Sequence, residues 1–179
     1  MRKFAPLMLL IILVSACVAG KDAAPTALEE RVRQMEDEKE IRELLVRYGE
    51  FLDAKDYAGY ASLFASDGVS TTGFGSATGP EAIQALLEQN MGDPGPGYIN
   101  KNRFHLMTTM MVEVSGDTAT ARSRYTVFAA SDAGLPIAVH SGRYDDELRR
   151  ENGAWKIRTR TSRGVIPYRE SRKPAAGGK

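Results

Sequence analysis

The stretch from Arg103 to Ile166 constrains the fold most, because it holds four long β patterns in succession with turn signals between them. Strands are expected over Arg103–Val114, Thr118–Ala129, Ile137–Arg149 and Ala154–Ile166, with turns at Ser115-Gly116-Asp117, Asp132-Ala133-Gly134 and Asn152-Gly153. Consecutive strands joined in this way form an antiparallel meander. Three helical patterns come first. The opening one starts at Thr26, which with Glu29 fits a capping box. It carries Leu28, Val32, Met35, Ile41, Leu44, Leu45, Tyr48 and Leu52 at steps of three and four, interrupted at Glu38-Lys39. A second helix is expected from about Asp56 to Ala65, burying Tyr57, Tyr60, Leu63 and Phe64. After a strand over Val69–Phe74, a third is expected over Glu81–Asn90, with Pro80 in a first-turn position that needs no donor. Helices followed by a sheet define an α+β domain.

Two loops and one strand carry further expectations. Gly92-Asp93-Pro94-Gly95-Pro96-Gly97 is too rich in breakers for regular structure, and is either a lid over a site or a passive loop. Gly73 to Gly79 is glycine-rich but lacks the lysine of a phosphate loop and the spacing of a dinucleotide fingerprint, so it reads as a turn between strand and helix. In the strand from Arg103 both faces are apolar, with Leu106 and Met110 on one and Met107 and Met111 on the other. That pattern asks for helices on one side and a second subunit on the other, a homodimer through the sheet.

At the N-terminus, Arg2 and Lys3 precede an apolar run from Phe4 to Val14. The run is shorter than the roughly 20 residues of a membrane-spanning helix and reads as a cleaved leader. Val14-Ser15-Ala16-Cys17 resembles the lipobox of bacterial lipoproteins, which implies a lipid on Cys17 and anchorage to a membrane on the periplasmic side of a bacterial envelope. The expected division is a leader over 1–16, the lipidated cysteine and tether over 17–27, a domain over 28–168 and a disordered tail over 169–179. Cys17 is the only cysteine, so an internal disulfide is excluded. The chain carries 24 Lys and Arg against 23 Asp and Glu, and losing Arg2 and Lys3 with the leader leaves the rest close to neutral. Nucleic acid is therefore not an expected partner, since its binding rests on clustered positive charge.

Arg47-Tyr48-Gly49-Glu50-Phe51-Leu52-Asp53-Ala54-Lys55-Asp56-Tyr57 and Leu63-Phe64-Ala65-Ser66-Asp67-Gly68 resemble the opening of SnoaL-like proteins of the nuclear transport factor 2-like superfamily. Gly79-Pro80-Glu81-Ala82-Ile83, Val112 to Ala119, and Gly142 to Leu148 leading to Trp155-Lys156-Ile157 agree with it, so the resemblance covers about Asp37 to Arg163. It implies a cone-shaped α+β barrel in which a strongly bent antiparallel sheet wraps three N-terminal helices around a pocket. The chain is most similar to the branch that includes scytalone dehydratase and the bile-acid dehydratase, which remove water from hydroxylated rings without a metal or an organic cofactor. Carried over residue by residue, the resemblance implies Tyr48, Asp53, His105 and Arg160 as catalytic groups. It implies Tyr57, Tyr60, Thr109 and His140 as contacts to a small hydrophobic substrate. A second carboxylate in the middle of the sheet has no counterpart in Arg122 to Val127, and Thr109 stands where relatives often carry asparagine.

Dehydration beside a carbonyl needs a base, a donor to the developing enolate and an acid for the leaving hydroxyl. The His105 imidazole can serve as base and acid, Asp53 can orient its ring, and the Tyr48 hydroxyl can hold an oxyanion. Each residue also has a structural reading: a core tyrosine at Tyr48, a cap of the second helix at Asp53 with Asp56 as rival, and a core histidine at His105. His140 belongs either to the pocket wall or to the sheet exterior. Tyr48 and Asp53 lie about 140° apart on a regular helix, so both enter one pocket only if the helix ends near Leu52. Strict alternation puts Arg160 opposite Trp155 and Ile157 unless a bulge intervenes. Catalysis of a dehydration or isomerisation and non-catalytic binding of a ligand or partner both remain open.

Overall fold

The computed structural model describes residues 25–169. The expected leader, the lipidated Cys17, the tether up to residue 24 and the tail from residue 170 lie outside the described residues. Among the described residues no helix is long and apolar enough to cross a membrane.

Helix α1 (Ala27–Ala54) is continuous. Its capping box is made: the Glu29 N–H donates to the Thr26 hydroxyl at 3.3 Å, and the Thr26 N–H donates to the Glu29 carboxylate at 2.7 Å. The charged Glu38-Lys39 step does not interrupt it, because Lys39–Glu43 and Arg42–Glu38 pair across one turn. Leu28, Val32 and Met35, expected on the packed stripe, are exposed. The side of those first turns that meets the protein carries Glu30, Arg33 and Gln34 beside Val114-Ser115-Gly116. Packing starts at Asp37, which accepts hydrogen bonds from Arg150 and from the Trp155 indole N–H. At the far end Lys55 adopts the left-handed conformation (φ 54°), and the N–H groups of Lys55 and Asp56 close onto the carbonyls of Leu52 and Phe51.

Asp56 then caps α2 (Tyr57–Ser62) by accepting the Gly59 N–H at 2.7 Å. This helix stops short of the expected Ala65, because the Leu63 carbonyl is taken by the Ile157 N–H and the chain enters β1 (Phe64–Thr72). Strand β1 folds back on β2 (Gly75–Thr78) through Gly73-Phe74, with Thr72 opposite Gly75 and Val69 opposite Thr78. The glycine-rich stretch expected to be only a turn is therefore mostly an edge strand. Helix α3 (Pro80–Met91) follows with Pro80 in its first turn, and then come β3 (Arg103–Ser115), β4 (Thr118–Ala130), β5 (Pro136–Glu151), β6 (Ala154–Ile166) and a short β7 (Tyr168–Arg169).

The sheet order is β2-β1-β6-β5-β4-β3, with β7 paired to β6. Neighbours are antiparallel except β1 and β6, which run parallel because the chain crosses from β2 through α3 to the far edge and meanders back. The sheet curls around the helices without closing, so β2 and β3 remain its edges. Ile41, Leu44, Leu45, Tyr48 and Leu52 of α1 and Ile83 and Leu87 of α3 pack on its concave face against Ala121, Val127, Tyr144, Leu148, Trp155 and Ile157.

Two bulges decide which side chains face this core. In β3 the register shifts between Thr108 and Met111, with Thr109 at φ 50°. The extra residue puts Met107 and Met110 against the core and leaves Leu106 and Met111 exposed, so the faces predicted by strict alternation are exchanged past the bulge. In β6 Ile157 pairs with Leu148 and Thr159 with Glu147, leaving Arg158 unpaired. One extra residue there turns Trp155, Ile157 and Arg160 to the same interior.

Candidate active site

A cavity of about 710 Å³ opens between the end of α1, α3, the 92–102 loop and the concave face of the sheet. Tyr48, Tyr60, Tyr125 and Tyr144 form its buried floor, Leu52, Leu87 and Met91 part of its wall, and Lys55, Tyr98, Asn102 and Arg103 its more open side. The 92–102 loop thus supplies wall residues directly. It is held at its start by the Tyr57 hydroxyl, which donates to the Gly92 carbonyl at 3.0 Å, and by Lys55 Nζ, which donates to the Met91 carbonyl at 2.8 Å.

His105 and Asp53 meet on the wall where α1 crosses β3. The Asp53 carboxylate lies 2.6 Å from His105 Nδ1 and also accepts the His105 backbone N–H at 2.7 Å. Gly49 makes this approach possible. It sits one turn before Asp53 on the same face of α1, and a Cβ there would lie 3.3 Å from Met107 Cγ and 3.4 Å from His105 Cβ. A carboxylate only accepts, so Nδ1 carries the proton and Nε2 is the unprotonated nitrogen of the neutral ring. Nε2 has no hydrogen-bond partner among the described residues, and the ring lines the cavity.

Tyr48 reaches the same cavity from a different side of α1. The helix runs to Ala54 rather than ending near Leu52. The 140° between Tyr48 and Asp53 is accommodated because one lies on the floor and the other on a wall. Tyr48 accepts a hydrogen bond from the Tyr60 hydroxyl at 3.1 Å, which leaves its own proton for Tyr144 or a ligand. Burial drives the phenols of Tyr48, Tyr60 and Tyr144 well above the usual tyrosine range, with neighbouring phenols adding to it, so all three stay protonated donors.

Arg160 lies behind this floor and does not line the cavity. It is fully buried and makes two hydrogen bonds to Asp146, at 2.7 and 2.8 Å. Burial alone would favour losing its proton, but the Asp146 charge and hydrogen bonds outweigh it and keep the guanidinium charged. Its Cζ lies 3.8 Å from the Tyr48 ring centroid and 4.6 Å from that of Tyr144. Arg160 is therefore separated from the cavity by the Tyr48 and Tyr144 rings. Of the expected substrate contacts, Tyr60 and His140 line the cavity. Tyr57 is instead buried beneath the 92–102 loop, and Thr109 is exposed at the β3 bulge, where its backbone rather than its side chain is used.

Asp146, Tyr125, Tyr144, Lys55 and Arg103 were not singled out from the sequence. Alternation along Tyr144-Asp145-Asp146-Glu147-Leu148 was a sufficient signal for Asp146, since two inward apolar residues bracket it.

The model of the SnoaL-like domain family matches residues 33–161. The chain belongs to that family. The SnoaL-like chain is also similar to a nuclear transport factor 2-like protein with a cystatin-like fold from Novosphingobium aromaticivorans, 30% identical, with a TM-score of 0.66 and 89% of this chain and 94% of that one covered. A protein of unknown function from Mycobacterium tuberculosis is 28% identical, with a TM-score of 0.64 and 78% of each chain covered. A candidate scytalone dehydratase from Novosphingobium aromaticivorans is 20% identical, with a TM-score of 0.61 and 83% and 99% covered, a likeness of fold alone. Among curated proteins none matches. The SnoaL-like fold thus accounts for the curled sheet and the cavity, while the chemistry rests on the side chains within it.

Proposed function

We propose that the cavity is the active site of a cofactor-independent dehydratase or isomerase acting on a hydroxylated ring compound. The observation that carries the reading is the Asp53–His105 pair, which leaves His105 Nε2 bare on a largely apolar cavity that Tyr48 also lines. In this reading Nε2 takes the carbon-bound proton beside a carbonyl, and the Tyr48 phenol donates to the carbonyl oxygen as it becomes an enolate. The imidazolium so formed, held by Asp53, returns the proton to the departing hydroxyl in a dehydration or to another carbon in an isomerisation. Tyr60 and the charge of Arg160 behind the ring make the Tyr48 phenol a stronger donor.

The test is incubation with a panel of hydroxylated polycyclic ketones, mass spectrometry for loss of water, and ligand-dependent melting in parallel, for the wild type and His105→Ala. Product in the wild type and binding without product in His105→Ala support the reading. Binding without product in both makes this a carrier or docking protein.

We propose that Cys17 is lipidated and tethers the domain on the periplasmic side of a bacterial membrane, a reading supported by the Val14-Ser15-Ala16-Cys17 sequence. Incorporation of labelled palmitate, lost in Cys17→Ser, tests it. We also propose a homodimer through the outer face of the sheet, supported by exposed Phe104, Leu106 and Met111 on the edge strand β3 and by Phe104 stacked on Phe128 at 5.0 Å. Phe104→Arg should halve the mass measured by light scattering.

A further inference from the structure

The charged groups that line the cavity are unevenly distributed. Asp53 is its one carboxylate among the described residues, and both its oxygens are engaged by His105. Against it stand Lys55 and Arg103, besides the rings of His105 and His140. Arg103 is exposed and has no carboxylate partner among the described residues; its backbone N–H and carbonyl are both bonded to the Asn100 side chain, which fixes the strand at that point. Lys55 spends one donor on the Met91 carbonyl and stands 5.4 Å from the centre of the Tyr98 ring, leaving donor capacity toward the cavity. Asn90, Asn100 and Asn102 also line the cavity, the first two with a side-chain N–H already given to the Leu86 and Arg103 carbonyls.

Position along the strand relates this cationic rim to the reacting groups. Arg103 and His105 are two residues apart in β3 and both line the cavity. They therefore lie on one face of the strand with their Cα atoms about 7 Å apart, which is about the width of one fused ring pair. A ligand with its reacting carbon at His105 Nε2 would bring a substituent one ring away to the Arg103 guanidinium. Planar two-pronged donation from arginine suits a carboxylate or a phosphate.

Resting on the reading of the cavity as a substrate site, we propose that its ligand is an anionic amphiphile: a hydroxylated ring system bearing a carboxylate or phosphate group that Arg103 holds at the open side with help from Lys55. The floor of tyrosines and the apolar wall take the ring, and the rim sets its direction, so that the reacting edge enters first.

The experiment compares hydroxynaphthoate with its neutral methyl ester, by quenching of ligand fluorescence on titration with the full chain, and repeats both with Arg103→Gln. Hydroxynaphthyl phosphate provides a second anion. The expected result is that the acid binds about tenfold more tightly than the ester, that Arg103→Gln removes this preference while leaving the ester within about twofold, and that added salt weakens only the anions. The phosphate binding more tightly than the carboxylate would identify a phosphorylated substrate within the same proposal. Equal binding of acid and ester by the wild type, or an equal loss of both in Arg103→Gln, overturns the anionic inference and leaves the apolar site standing. Failure of every probe to bind overturns both readings together. Because the Arg103 side chain makes no hydrogen bond or ion pair among the described residues, an unchanged melting temperature in the variant separates binding from folding.

Discussion

One carboxylate, that of Asp53, accepts both the backbone N–H and the ring nitrogen Nδ1 of His105. The two bonds fix the last turn of α1 against β3 and the orientation of the imidazole at once. Exchange of the carboxylate for an amide separates these effects, because a carboxamide still accepts the backbone N–H through its oxygen but turns an N–H₂ toward Nδ1. Asp53→Asn is expected to lower turnover by about a hundredfold or more while costing only about 1–2 kcal/mol of stability. Initial rates and urea unfolding on the same preparation check it.

Gly49→Val tests the approach that allows the pair to form. Even the first carbon of a side chain at Gly49 would come to 3.3 Å from Met107 and 3.4 Å from His105. The added branches must push α1 away from β3, and the expected cost is about 1–3 kcal/mol, with Asp53 withdrawn from His105. Melting temperature and turnover should fall together in this variant, unlike in Asp53→Asn.

The buried pair behind the floor predicts an asymmetry between single and double substitution. Asp146→Ala leaves the Arg160 guanidinium buried without its counter-ion, and about 3–5 kcal/mol of stability should be lost. Asp146→Leu combined with Arg160→Met removes both charges and should be markedly less damaging. Its effect on turnover then reports what the charge contributes to Tyr48. Denaturant midpoints for the three proteins decide the matter.

Alkaline titration reads the tyrosines. Tyr48, Tyr60 and Tyr144 have their phenol ionisation raised by burial, so the folded state holds protons that the unfolded chain gives up near its ordinary value of 10.0. Their contribution to stability is complete below that value and is lost as pH rises above it. Of the seven tyrosines, these three should gain tyrosinate absorbance only in step with loss of the circular dichroism of the fold. Ionisation of all seven in one early phase with the fold intact would contradict the burial described.

How far the sequence could be read depended on whether local pattern or packing decided each feature. The capping box at Thr26, the proline at the start of α3 and the turns around β4, β5 and β6 lie within a few residues of one another and were legible. Helix α2 was expected three residues too long, because Leu63 and Phe64 are apolar enough for a helix and only the distant Ile157 N–H draws them into a strand. The two bulges were also out of reach in position. Thr109 carries no glycine to announce its positive φ, and the need for an extra residue before Arg160 could be stated only as a condition. Tyr48, Asp53 and His105 line one cavity, whereas Arg160, whose face the sequence left open, lies in the layer behind it. Strand periodicity tells inside from outside but not whether an inward side chain meets a cavity or the core behind it.

The imidazole of His105 provides the most direct measurement. Nitrogen-15 spectra of the labelled protein at neutral pH, assigned by comparison with His105→Gln, report which ring nitrogen of its neutral form bears the proton. The arrangement predicts a protonated Nδ1 and a bare Nε2 whose resonance moves when a ring ligand is added. A neutral ring protonated at Nε2, or a resonance indifferent to every ligand that binds, would contradict a base presented to the cavity.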